Sequence, residues 1–287
     1  MEPKRLAHRA LTKGSSLKPS RRKGLTARYL PLVCIVVFLG LQPRLAVTEE
    51  LSAKEIVRRM TSISDMAKDG TSRARMVLID SKGAKIDRTV TTYRLTLENG
   101  SKSLIVFSAP SDVKGTALLV WSYEDKDDEQ WLYLPAYERV RRITSSGKGE
   151  GFAGSDLSFS DLEERGLEEF NYSKGPDVNE GGFDCYAIEA VPNDKGYPYA
   201  KIRYAIDKKT FLPVKIELFD WDNASKAFKI ATCRDFREVD GIPTIFFMEM
   251  HNIKTNHKTQ LILEEARYNT GLKEDLFTQR YLRRGGP

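Results

Sequence analysis

The sequence predicts a mainly β fold with few α-helices, built from antiparallel strands. Beyond residue 72, apolar and polar residues alternate with a period of two in one run after another, which is the pattern of β-strands. Only a few polar, glycine or proline residues separate these runs, so the connections suit hairpins and leave no room for crossover helices. Several runs are apolar on both faces, which predicts that each face of the sheet is covered.

Residues 1–48 differ from the rest of the chain and predict an export leader. Residues 1–28 contain nine Lys or Arg and one acid, and an apolar run of 13 residues follows from Tyr29 to Leu41. Such a run is shorter than the roughly 20 residues that span a bilayer but suits a secretory signal. We expect a basic leader and signal peptide over 1–48, a single domain over 49–287, and a periplasmic protein, membrane-associated if the leader is retained.

The leader also bears on the export route. Arg21 and Arg22 precede the apolar run, as in the twin-arginine signal that a receptor reads as an address. Gly24 stands where that signal usually has Phe, so ordinary Sec-dependent export is the preferred expectation.

The charge balance argues against a nucleic-acid partner. The whole chain has a formal net charge of +6, but the basic excess lies in the leader. Beyond residue 46 there are 36 Lys or Arg and 39 Asp or Glu. The processed protein therefore lacks the basic surface that nucleic-acid binding requires.

Two cysteines follow the leader, Cys185 and Cys233. In a simple meander their strands are three positions apart, roughly 14 Å at about 4.8 Å per strand. A disulfide needs Cα atoms within about 7 Å. Buried thiols are therefore favoured over a disulfide, which would require a sharply curled sheet.

The first element after the leader is an amphipathic helix that ends before Gly70. Ser52 and Glu55 have the spacing of a capping box, and apolar residues continue at helical spacing to Ile63. Strands are predicted to follow over 73–80, 86–98, 102–108, 116–123, 129–134, 138–143, 168–173, 183–191, 199–207, 213–221, 228–238, 244–254 and 258–268.

The strand around Leu118 illustrates the two-sided apolar pattern. One face carries Leu118 and Val120, and the other carries Leu119 and Trp121. The N-terminal helix and a short helix near 156–164 could cover one side of the sheet. The other side could close over a cavity or meet a second sheet, and a filled sandwich core remains an alternative.

No catalytic or cofactor motif stands out. Gly149, Gly151 and Gly154 match the dinucleotide fingerprint, but that motif needs a parallel βαβ unit, and hairpins surround it here. His251 and His257 lack the spacing of a zinc site, and no nucleophile motif is present. We expect no enzymatic activity, no cofactor and no metal.

Arg139 and Arg141 share one face of a predicted strand. They could bind the phosphate or carboxylate of a head group or contact a partner, and salt bridges to nearby acids are the alternative.

Four stretches resemble the LolA-like family of outer-membrane lipoprotein-sorting proteins. They are Trp131–Ala136 followed by Arg139–Ile143, Phe152–Leu162, the hairpin Tyr204–Lys215, and the ending Asp275–Thr278.

The resemblance implies a strongly curved antiparallel sheet, a half-open β-barrel, with helices covering its concave face. It further implies a monomeric periplasmic carrier that holds lipid or lipoprotein acyl chains in an apolar cavity, catalyses no reaction, and partners an inner-membrane exporter of the resistance-nodulation-division type. Because a carrier must also release its cargo, we hypothesise that the short helix near 156–164 and the Gly-rich segment before it act as a lid, formed by Gly149, Gly151, Gly154 and Asp156. The residues that we expect to line the cavity are Phe107, Leu119, Trp121, Trp131, Tyr133, Leu218, Phe247 and Met248.

Two other functions stay open at this point. A periplasmic regulatory or scaffold module would use the same sheet to bind a protein partner. An exported hydrolase would need a nucleophile and a base within hydrogen-bond reach.

Overall fold

A computed structural model describes residues 50–124, 126–164 and 166–284. The predicted leader lies outside these residues. Among the described helices, none is long and apolar enough to cross a membrane.

Helix α1 spans Ala53–Thr61 and begins where the capping box predicts. The Ser52 hydroxyl accepts a hydrogen bond from the backbone N–H of Glu55, and Ile56 and Val57 are buried. The helix is shorter than predicted, because a 3₁₀ turn over Ser64–Met66 follows it and the first strand already begins at Asp69.

Fourteen strands form one antiparallel sheet, which confirms the predicted fold class. Their order across the sheet is β6-β5-β4-β3-β2-β1-β14-β13-β12-β11-β10-β9-β7, with β8 beside β9. The two ends of this path, β6 and β7, do not pair, so the barrel is half open. The strands are β1 Asp69–Ile79, β2 Lys85–Leu97, β3 Gly100–Ala109, β4 Ala117–Tyr123, β5 Glu129–Leu134, β6 Arg139–Ile143, β7 Phe170–Lys174, β8 Val178–Glu180, β9 Phe183–Pro192, β10 Lys201–Asp207, β11 Pro213–Phe219, β12 Ala227–Val239, β13 Ile242–Asn252 and β14 His257–Tyr268.

The main hydrophobic core lies on one face of the sheet, here called the inner face. Directly paired residues of neighbouring strands share a face, so the pairs Phe107–Val90 and Leu218–Ile202 belong to it. Helix α1 packs onto this face through Ile56 and Val57.

The opposite, outer face of β3–β5 is covered by the C-terminal segment, residues 272–284. This segment contains a 3₁₀ turn, Glu274–Phe277, and the short helix α2, Gln279–Leu282. Phe277 and Leu282 are fully buried against Leu104 and Leu119. The two-sided apolar strands β3–β5 are therefore covered on the outside by the C-terminal segment, a cover that the alternation of residues within the strands does not predict.

The predicted short helix near 156–164 is replaced by a loop with 3₁₀ turns. Its last turn, Phe159–Leu162, is capped by Ser158 and Asp161. Phe152 and Phe159 insert into the inner-face core, with their ring centroids 5.8 Å apart. Side-chain hydrogen bonds to the backbone compete with a regular helix in such serine-rich segments.

Cys185 and Cys233 are buried free thiols on β9 and β12, three positions apart in the sheet. Burial raises the pKa of the Cys233 thiol to about 12 and that of Cys185 to about 11. Such thiols are inert at neutral pH.

Candidate functional site

A cavity of about 500 Å³ lies between the α1 segment and the inner face of the sheet. Small-molecule sites in proteins usually measure about 300–1,000 Å³. Apolar and aromatic side chains dominate its walls: Val57, Met60, Ile63, Ala67, Phe170, Tyr172, Tyr204, Leu212, Pro213, Ile242, Pro243, Ile245 and Tyr268.

The roof of the cavity follows from the apolar spacing of α1 and of the turn after it. Val57, Met60 and Ile63 recur every three residues, so they project to the same side of the chain. Val57 also joins the main core, and Met60 packs against it. The helix thus rests on the sheet at one end and leaves space beneath the other.

Two hydroxyl groups in the wall, those of Thr244 and Tyr268, are paired with each other. The Thr244 hydroxyl lies 2.9 Å from the Tyr268 hydroxyl and 3.0 Å from the carbonyl oxygen of Ile242. Because these hydroxyl groups already have hydrogen-bond partners, a ligand does not need to supply polar groups to them. The interior suits an apolar guest.

The charged side chains that line this cavity within the described chain are Asp65, Glu163 and Glu164. Arg94 Nη2 lies 2.8 Å from Asp65 Oδ1 and 2.6 Å from Glu164 Oε1. Lys148 Nζ lies 2.7 Å from Glu163 Oε1. Burial raises the pKa of Glu163 to about 7, although Lys148 favours the charged form.

A second cavity, of about 480 Å³, lies at the opposite end of β12 and β13. It lies beneath the loop of residues 144–164, here called the Gly-rich loop. Three of the predicted lid residues, Gly149, Gly151 and Asp156, border it. Asp156 Oδ2 accepts a hydrogen bond from Thr259 and lies 2.6 Å from His257 Nδ1. These contacts tie the loop to β14, and motion of this loop as a lid stays a prediction.

The eight predicted lining residues do not lie on one face. Strand pairing and core contacts place Phe107, Leu218 and Met248 on the inner face. The other five lie on the outer face, and none of the eight borders the 500 Å³ cavity. Those five are Leu119, Trp121, Trp131 and Tyr133, under the C-terminal segment, and Phe247, which alternates with Met248.

Arg139 and Arg141 lie exposed on the edge strand β6. They share the inner side, since they pair with Leu134 and Leu132, as their spacing predicts. Arg141 Nη2 lies 3.4 Å from Glu150 Oε2, so one of them takes part in a surface ion pair. Contact with a head group or partner stays a prediction.

The sequence predicts an apolar cavity but not its lining, because the predicted lining residues all belong to strands. The sequence does contain an indication of the lining in α1 and the turn after it. There, Met60 and Ile63 continue the apolar stripe beyond Ile56 and Val57, which are buried in the core. No group of three or more potential metal ligands occurs among the residues described.

Comparison with known proteins gives three relevant structures and one family model. A family model described as "Uncharacterized protein" matches residues 99–284. An outer membrane lipoprotein-sorting protein domain from Vibrio parahaemolyticus is 31% identical, with a TM-score of 0.76, and the match covers 80% of this chain and 98% of that one. A DUF1329 family protein from Desulfovibrio piger is also 31% identical, with a TM-score of 0.76 and coverage of 80% and 97%.

A LolA superfamily protein from Nitrosomonas europaea is 14% identical, with a TM-score of 0.64 and coverage of 81% and 100%. This match supports the fold alone. No curated protein matches the chain.

Proposed function

Because this chain belongs to the LolA-like family of outer-membrane lipoprotein-sorting proteins, we propose that it is a periplasmic carrier of acyl chains. It holds the chain of a lipid or lipoprotein in the 500 Å³ cavity beneath α1 and transfers it between membranes. The observation that carries this proposal is a largely apolar cavity on the inner face of a half-open sheet.

The energetics of such binding are favourable. Each buried methylene contributes about 0.8 kcal/mol, so ten of them contribute roughly 8 kcal/mol before the cost of ordering the ligand. The paired Thr244 and Tyr268 hydroxyls add no desolvation penalty.

Export and processing belong to the same proposal. Residues 1–48 act as the leader, and residues 49–287 act as one carrier domain, which works as a monomer. A partner exporter of the resistance-nodulation-division type is implied by the family resemblance alone, and co-purification from membranes tests it.

Binding and transfer of an acyl chain make and break no covalent bond, so we propose that the protein catalyses no reaction. His257 and Asp156 do form a pair such as hydrolases use to activate a nucleophile. In this carrier, the pair has the structural role of anchoring the loop 144–164 to β14.

Native mass spectrometry of protein purified from the periplasm without detergent tests the proposal. We expect a bound lipid whose mass identifies the cargo. Ile63→Trp, which places a larger side chain in the cavity, should weaken the adduct. Met66→Trp is the matched control, because Met66 lies in the same turn but is exposed and does not border the cavity.

Two results would contradict the proposal. One is a protein that neither carries nor takes up lipid. The other is equal lipid binding by the Ile63→Trp and Met66→Trp variants. A lipid-free protein that retains a bound polypeptide would instead favour the scaffold function.

A further inference from the structure

The opening of the 500 Å³ cavity can be located from the exposure of its lining residues. Most of them are buried or half-buried, whereas Ser64, Asp65 and Glu164 are exposed. The opening therefore lies between the 3₁₀ turn after α1 and residues 163–164. A ligand that enters tail first leaves its head group beside these side chains.

The charged groups at this opening are unbalanced. Three acids line the cavity, whereas the two bases that pair with them, Arg94 and Lys148, do not line it. Asp65 and Glu164 share the single base Arg94, so these two carboxylates keep one excess negative charge, and Arg94 itself does not line the cavity.

Arg94 is not free to receive an anionic head group. Its side chain is 20% exposed, and its Nη2 is shared between Asp65 and Glu164. Its Nη1 donates to the backbone carbonyl oxygen of Ser64 at 3.0 Å. Its donors are therefore already directed at oxygens of the protein.

A carboxylate or phosphate at the opening would face the carboxylate oxygens of Asp65 and Glu164. Like charges in contact repel, and an anion that loses water without gaining donors is strongly disfavoured. A hydroxyl, ester or ammonium group avoids this repulsion, and a hydroxyl or ammonium can also donate to the two carboxylates.

We propose, on the basis of the carrier function above, that Asp65 and Glu164 select cargo by charge. The cavity accepts acyl chains with a neutral or positively charged head and excludes free fatty acids and phosphate-bearing lipids. Asp65 and Glu164 are therefore specificity-determining residues.

The test compares hexadecanol, hexadecylamine and hexadecanoate, which share one saturated chain, as competitors of a neutral fluorescent alkyl probe at neutral pH and low salt. Hexadecanol and hexadecylamine should bind at least about fivefold more tightly than hexadecanoate, and salt should reduce the difference for hexadecanoate. Equal affinities, or tighter binding of hexadecanoate, would overturn the charge selection.

Variants test whether Asp65 and Glu164 cause the weaker binding of hexadecanoate. The double variant Asp65→Asn/Glu164→Gln should bind hexadecanoate more tightly and leave hexadecanol binding within about twofold. The control Glu98→Gln/Asp112→Asn removes the same charge at two exposed positions outside the cavity and should behave as wild type.

The outcomes separate this inference from the carrier function. If none of the three ligands binds, the carrier function fails and the charge selection fails with it. If all three bind equally, the carrier function stands and the charge selection is wrong. An unchanged preference in the Asp65→Asn/Glu164→Gln variant would likewise refute the assignment to these acids.

Discussion

Two carboxyl groups near the cavity opening have pKa values well above their usual range. Burial raises the pKa of Asp128 to about 6 and that of Glu163 to about 7, and the nearby charge of Asp128 raises the pKa of Glu163 further. Folding therefore disfavours their ionisation. Asp128 accepts hydrogen bonds from the Ser122 hydroxyl and from the backbone N–H groups of Tyr123 and Glu164.

The first prediction is that these groups make the protein less stable as the pH rises. Their pKa values in the folded protein exceed those in the unfolded chain, so the folded state holds more protons at pH values between about 4 and 7. Their contribution to the free energy of unfolding therefore falls as pH rises through this range.

The Asp128→Asn variant measures this effect. Urea unfolding should show a smaller loss of stability between about pH 5 and pH 8 than in the wild type, since each pKa unit corresponds to about 1.4 kcal/mol. Asp127→Asn, at an exposed neighbouring position, is the control. The same pH dependence in Asp128→Asn and wild type would contradict the assignment.

Gly154 is the residue of the Gly-rich loop whose backbone most clearly requires glycine. Its φ is +71°, in the left-handed region, and an added Cβ would meet no atom within 4 Å. We expect Gly154→Ala to lower the free energy of unfolding by about 1–2 kcal/mol through backbone strain alone. Gly149→Ala places its Cβ in ordinary contact with Pro198, at 3.6 Å, and should cost far less. Equal effects in urea unfolding would exclude backbone strain as the cause.

At the scale of elements, local sequence predicted the strands well. Period-two runs and turn residues placed thirteen of the fourteen strands, with only β8 missing. β8 spans just three residues, too few for an alternating pattern to be recognised. Helix α1 was extended too far because its apolar spacing continues through the 3₁₀ turn at Ser64–Met66.

Local sequence could not indicate what covers each face of a strand. Leu119 and Trp131 belong to a core completed by Phe277, more than 140 residues later in the sequence. Alternation places a side chain on one of two faces, but only tertiary contacts decide which face borders a cavity. This is why five of the eight predicted lining residues lie on the outer face.

The C-terminal segment should contribute strongly to stability. Phe277 is fully buried, and its carbonyl oxygen accepts a hydrogen bond from Trp121 Nε1 at 2.9 Å. Phe277→Ala should lower the free energy of unfolding by about 3–5 kcal/mol. Tryptophan fluorescence during urea unfolding measures the loss, because Trp121 and Trp131 lie beneath the segment.

Arg280→Ala is the matched control, since Arg280 lies in the same segment but is exposed. A loss in Phe277→Ala as small as that in Arg280→Ala would show that the segment does not seal the outer face.

The Gly-rich loop continues through the 3₁₀ turn Phe159–Leu162 into Glu163 and Glu164, which line the 500 Å³ cavity, so a stiffer loop should slow cargo exchange at that opening. In the double variant Gly149→Ala/Gly151→Ala, the new Cβ at position 151 would lie 3.1 Å from the Ser155 carbonyl oxygen, which stiffens the loop. We expect release of a fluorescent alkyl probe, followed by stopped flow, to slow severalfold. Gly175→Ala, between β7 and β8, is the control. Unchanged release would exclude the loop as a lid.

At the scale of the whole molecule, the two halves of the open sheet differ in how they are covered: one half is packed, and the other leaves a cavity. In its first half, β6 to β1, the hydrophobic core covers the inner face, and the C-terminal segment covers the outer face of β3–β5. The other half, β14 to β7, leaves a cavity between its inner face and α1. The β1–β14 pairing that joins the halves brings together residues almost 200 positions apart, which no local pattern specifies.

The most direct test of the account is to map where a bound alkyl chain lies. An alkyl alcohol with a diazirine at the end of its tail is bound, irradiated and located by peptide mass spectrometry. The account predicts labelling of the tryptic peptide 60–68, which contains Met60, Ile63 and Ala67 of the cavity wall. Labelling confined to the outer face, or saturable binding that leaves peptide 60–68 unlabelled, would contradict it.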